Sequence, residues 1–90
     1  MELDNFIRCM RSGMHRRILQ MLAKEDMSAS QIYSKLGNYA PKYRQSVNKA
    51  LELLRESGLL SKYYNAEKKK LYYHLIKEKY TINLAEMKVE

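Results

Sequence analysis

The sequence predicts a mainly helical domain carrying one small β-hairpin, an α+β fold. Three observations predict it. Tyr43, Val47, Ala50, Leu51 and Leu54 recur at the spacing of a helix with one buried face. Gly58 then stands where a helix would stop in a left-handed cap, with Leu59 able to fold back onto the last turn. Beyond it, Leu59 to Asn65 and Leu71 to Ile76 are rich in Tyr, Leu and Ile, partly alternate with polar residues, and flank a polar turn.

Ninety residues make one domain, with a core that suffices but is not large. The first element is a short helix over 3–11. Leu3, Phe6, Ile7 and Met10 form its apolar stripe, with Asp4, Asn5, Arg8 and Arg11 opposite. Ser12-Gly13 breaks it. A second helix runs from about Met14 to Lys24, with Ile18, Leu19 and Leu22 inward, helped by Met14 and Met21. His15 lies near that stripe and is expected to be packed or hydrogen-bonded, because a metal site needs several convergent ligands.

Met27 is an isolated apolar residue suited to a very short strand. Ser28-Ala29-Ser30-Gln31 is a capping box, in which Ser28 accepts from the Gln31 amide and the Gln31 side chain reaches back. The third helix is therefore Ala29 to about Leu36, ended by Gly37. A turn through Pro41 leads to the fourth helix, and Pro41 fits a first helical turn. Asn65 to Lys70 forms the hairpin turn and carries three consecutive lysines. For the last segment, 77–90, Asn83 as a cap and Leu-Ala-Glu-Met-Lys after it favour a short helix over a strand.

The formal charge is +7, from 17 Lys and Arg against 10 Asp and Glu, and the pI is about 9.6. Such a balance suits a nucleic-acid-binding domain. No apolar run approaches the length of a membrane span or of a signal-peptide core. The single cysteine, Cys9, has no partner for an internal disulfide and is expected as a small buried hydrophobe. These features predict a cytoplasmic protein without a membrane partner. There is no Gly-rich phosphate loop, no Cys–His or Ser–His–Asp grouping and no metal cluster. No catalytic residue, metal or cofactor is expected.

The polar side of the fourth helix carries Arg44, Gln45, Asn48, Lys49 and Arg55. Arg and Lys pair with guanine and Asn and Gln with adenine in the major groove, while spare charge meets phosphates. A solvated face on an ordinary amphipathic helix has similar composition. The order of elements around it favours the first reading.

Helix, capped helix, turn, basic helix ending in Gly-Leu-Leu, then hairpin: this order resembles the winged helix-turn-helix domain of prokaryotic transcriptional regulators, and ArsR-like repressors in particular. The resemblance covers about 14–76. Its most specific part is Ser46 to Leu60, S-V-N-K-A-L-E-L-L-R-E-S-G-L-L, similar to the family's recognition helix entering the first wing strand. Leu71-Tyr72-Tyr73-His74-Leu75 looks like the returning strand, and Met27 to Ile32 like the entry into the motif's first helix. Two departures stand out. The segment between Leu36 and Val47 is about four residues longer than the usual tight turn. The paired cysteines of metal-sensing members are absent from Ala29–Leu36.

The expected function is sequence-specific binding of double-stranded DNA by a homodimeric transcriptional regulator. A recognition helix over about 42–57 would read bases through Arg44, Gln45, Asn48 and Lys49. Ser28, Lys42, Ser46, Lys62, Lys68, Lys69 and Lys70 would meet phosphates. The stripe Leu3, Phe6, Ile7 and Met10 would join two copies, with 77–90 as a further dimerisation element. The competing expectation is a winged-helix module for RNA or protein contacts. Nothing in the sequence specifies an operator or a small-molecule effector.

Overall fold

Local signals in the chain place most of the elements of the computed structural model, which describes all residues from Met1 to Glu90. Helix α1 spans Leu3–Met10, α2 Gly13–Lys24, strand β1 Met27–Ser28, α3 Ala29–Lys35 and α4 Arg44–Glu56. Strands β2 (Leu60–Asn65) and β3 (Lys70–Leu75) form the long hairpin, and β4 (Ile82–Asn83) and β5 (Lys88–Val89) a short one. Ser12 starts α2 by accepting from the Met14 amide at 3.1 Å and the His15 amide at 3.4 Å. The capping box of α3 is complete. Ser28 N–H donates to Gln31 Oε1 at 2.9 Å, and Gln31 N–H donates to Ser28 Oγ at 3.3 Å.

The end of α4 is a Schellman motif. Leu59 N–H donates to the Leu54 carbonyl and Gly58 N–H to that of Arg55, both at 3.0 Å. Gly58 sits at φ +86, where a side chain would be strained. This reversal starts β2 under the core, with Leu59 and Leu60 both buried.

Strand β3 is the centre of an antiparallel sheet of order β1-β3-β2. Met27 pairs with Tyr73 and Ser28 with Tyr72, while β2 and β3 pair from Leu60–Leu75 to Asn65–Lys70. The core joins Ile18 and Leu22 of α2, Ile32 of α3, Val47, Leu51 and Leu54 of α4, and Leu59 and Leu60. Four helices with a small sheet and a projecting hairpin make this a winged helix-turn-helix fold of the α+β class. No helix is long and apolar enough to cross a membrane.

Four expectations are corrected. Tyr43 is 60% exposed and extended, as the residue preceding α4, so the buried stripe begins at Val47. Pro41 lies in the linking segment before α4, not in its first turn, because a 3₁₀ turn over Gly37–Tyr39 takes up the extra length after α3. The segment 77–90 forms the β4–β5 hairpin instead of a helix. Asn83 caps a turn there, accepting from the Glu86 amide at 3.0 Å, and Met87 at φ 55 breaks any helical run. Val89 N–H donates to the Met1 carbonyl at 2.8 Å and the terminal ammonium to Val89 O at 3.1 Å, so strand pairing with the N-terminus decides the outcome.

The fourth correction concerns α1. Its stripe is not spare surface. Phe6 and Met10 pack against the domain's own core, Phe6 meets the Tyr80 ring at 5.6 Å between centroids, and Cys9 is fully buried. The 77–90 hairpin holds Tyr80 in place, giving the stripe an intramolecular partner. Ile7 alone of the four residues is exposed.

Candidate nucleic-acid interface

Helix α4 buries Val47, Ala50, Leu51 and Leu54, which turns Arg44, Gln45, Asn48 and Lys49 to the opposite side. All four are exposed, as is Lys42 just before the helix, and Ser46 is half-buried. The guanidinium of Arg44 lies 5.8 Å from the centre of the Tyr33 ring, and Lys42 Nζ 5.4 Å from that of Tyr43. Nothing in the sequence marks Tyr33 for this contact. Its spacing on α3 carries no sign of a cation on another helix, so only the angle between α3 and α4 reveals the contact.

The turn of the long hairpin, called the wing below, is built by Asn65. Its carbonyl accepts from the Lys69 amide at 2.7 Å and its side chain from the Lys68 amide at 3.0 Å. Lys69 takes φ 57. The turn thus holds Lys68, Lys69 and Lys70 as an exposed, closely spaced group of positive charge.

Two of the expected phosphate contacts are placed otherwise. Ser28 is only 3% exposed, and its hydroxyl is spent on the cap of α3, so it is withdrawn from the surface. Lys62 donates to Glu52 of α4 at 2.9 Å and lies 5.7 Å from the Tyr73 ring centre. Glu52 also accepts from Arg55 Nε at 2.6 Å. The hydrogen bonds from Lys62 and then Arg55 hold the Glu52 carboxyl below the ordinary carboxylate range, against a smaller opposing effect of burial. A free carboxylate at Glu52 would repel phosphates. Its charge is instead neutralised on the protein.

Asp26 ties the wing to the body. Its carboxylate accepts from the Tyr63 phenol of β2 at 2.7 Å and meets His74 Nδ1 of β3 at 2.8 Å. No local pattern signals this clasp, since Asp26 lies far along the chain from both partners.

Charge is unevenly distributed. Residues 11–76 hold thirteen of the seventeen Lys and Arg but only five of the ten acids, and the other twenty-four residues hold four bases and five acids. The positive charge therefore belongs to the segment from α2 through the wing, and the two terminal segments together are nearly neutral. No group of three or more His, Cys, Asp or Glu stands close enough to hold a metal ion. The fold and this surface define a winged helix-turn-helix domain with an exposed basic face. No protein-family model matches the chain, and no curated protein matches it.

Proposed function

We propose that the chain is a sequence-specific, double-stranded DNA-binding transcriptional regulator that acts as a homodimer, in the manner of the ArsR-like repressors it resembles. The observation that carries this is the exposed quartet Arg44, Gln45, Asn48 and Lys49 on the N-terminal half of α4. Those are the side chains that match base edges, and a helix entering a major groove brings its first turns nearest to them. Lys42, Ser46 and the wing lysines Lys68, Lys69 and Lys70 hold phosphates on either side. The protein uses no cofactor and catalyses no reaction.

The dimer contact is assigned to the lobe formed by the termini. There the Leu3 amide donates to the Met87 carbonyl at 3.0 Å, which sets the exposed Met87 at the start of α1, the helix that carries the exposed Ile7. Two chains of charge +7 repel least where the local balance is near zero. Sedimentation of Met87→Glu is expected to show a folded monomer where the parent sediments as a dimer.

Selection of bound fragments from a random duplex pool tests the whole reading. A near-palindromic motif with half-sites about one helical turn apart is the expected result. A salt titration on the recovered duplex and on an unrelated one distinguishes specific binding, because only a specific complex retains a preference once phosphate attraction is screened. Equal affinity for all duplexes, or preference for RNA, would favour an RNA- or protein-binding module instead.

A further inference from the structure

A cleft of about 470 Å³ opens between α1, α2, the root of the wing and the segment that follows it. Phe6, Met10, Leu19, Leu59, Leu75 and Tyr80 supply its apolar walls. Leu59 belongs to the core, and the other five pack on that core with part of their surface left uncovered. Small-molecule sites have this size and this mainly apolar lining, with a few polar groups to orient the ligand. Here the polar groups stand on the rim, as Arg16, Gln20, Lys77 and Glu78. Arg16 is fixed in place. Its Nη1 donates to the carbonyls of Met10 and Arg11 at the end of α1, the latter at 3.0 Å. Lys77 holds its ammonium 4.6 Å from the centre of the Tyr80 ring. Neither cation has an acidic partner, since the ion pairs of the protein use Lys35, Arg55, Lys62 and His74. Glu78 is the single acid on the rim, so the local balance is positive. Burial and then Cys9 push the Tyr80 phenol up, so the ring adds no negative charge near neutrality.

We infer that this cleft binds a small carboxylate with an apolar tail. The tail lies against Phe6, Leu19, Leu75 and Tyr80, and the carboxylate sits between Arg16 and Lys77. A neutral apolar ligand would leave both cations unanswered. The apolar face of a second copy would cover them without compensation, and a charge buried unpaired is costly. A guanidinium already held by two carbonyls loses little freedom on meeting a carboxylate, which favours binding. No residue of α4 and none of the wing turn lines the cleft, so the site is independent of the DNA-binding reading.

Titration calorimetry of the full chain with octanoate, octanol and octylamine tests it, with no duplex present. Octanoate is expected to bind at a single saturable site. Octanol, with the same tail and no charge, should bind about tenfold more weakly, and octylamine more weakly still. Lys77→Gln should weaken octanoate about three- to fivefold, as loss of one exposed charge pair would, and leave octanol unchanged. Ala23 is exposed on α2 and lines the cleft, so Ala23→Phe should fill it and abolish octanoate binding. A thermal melt confirms that both variants fold. Amide NMR shifts of the parent on adding octanoate need no variant, and they should cluster at Leu19, Ala23, Leu75 and Lys77. Shifts centred elsewhere overturn the inference, as does octanoate binding that fails to saturate. Octanol bound as tightly as octanoate would make the cleft a plain apolar groove and overturn it too. Parent-like octanoate affinity in a folded Ala23→Phe has the same consequence.

Discussion

Lys62 on β2 places its ammonium 2.9 Å from the Glu52 carboxylate on α4, so the wing and the proposed reading helix share an ion pair. Arg55 holds the same carboxylate from the other side. One acid thus occupies two of the cations nearest the proposed DNA face. Glu52→Gln should release them, tightening binding to all duplexes and steepening the salt slope by about one unit. An exposed ion pair contributes little to stability, so the melting free energy should change by less than about 1 kcal/mol. Anisotropy titrations at several salt concentrations check it. An unchanged slope would mean that Lys62 and Arg55 point away from the phosphates.

Asp26 makes wing attachment dependent on acid. Burial acts to raise its pKa, but hydrogen bonds from His74 and Tyr63 together with the His74 charge outweigh it, so the carboxyl ends below its usual 3.8. A lowered folded-state pKa means that Asp26 stabilises the fold fully above the unfolded value and loses that contribution as pH falls through the folded one. Asp26→Asn should therefore be less stable than the parent near neutrality. The gap should close as the pH drops below about 4. Urea unfolding of both proteins across an acid series measures the gap directly, and one that persists to the acid end would refute the clasp.

Leu54 is fully buried in the core, and its carbonyl also accepts the bond that closes the Schellman motif. Leu54→Ala should destabilise the domain by about 2 to 5 kcal/mol. Replacing Gly58 with Ala acts on the backbone alone, since a β-carbon there meets nothing within 4 Å but must take φ +86. Its cost should be about 1 kcal/mol. Denaturant unfolding that ranks Gly58→Ala as the more damaging of the two would contradict this account.

Arg44 combines exposure with a position in the first turn of α4, and its guanidinium rests near the Tyr33 ring. A bidentate contact to guanine discriminates by about 1 to 3 kcal/mol. Arg44→Ala should relax the preference at one base pair in each half-site and leave the fold intact. Tyr33→Leu should weaken that same preference less, by removing the ring that orients the guanidinium. Repeating the duplex selection with each variant decides it. A motif unchanged in sequence, with affinity lowered uniformly, would place Arg44 on a phosphate.

Periodicity and capping chemistry are local, and they carried the helices, the wing and the basic face of α4 into view from the sequence alone. Ser28 with Gln31, and Gly58 with Leu59, mark element ends through atoms only a few residues apart, so their types suffice. What the tertiary structure decided was each choice between partners distant in the chain. The stripe of α1 reads from its spacing as a subunit contact, whereas in the fold Phe6 packs on Tyr80 because 77–90 turns back across α1. Asn83 is as good a cap for a turn as for a helix, and pairing of Val89 with Met1 chose the turn. Lys62 was one cation among many until β2 brought it beside Glu52. Hydrophobic spacing fixes which side of an element is buried. Which groups then meet across the fold depends on how elements cross, and no local pattern carries that angle.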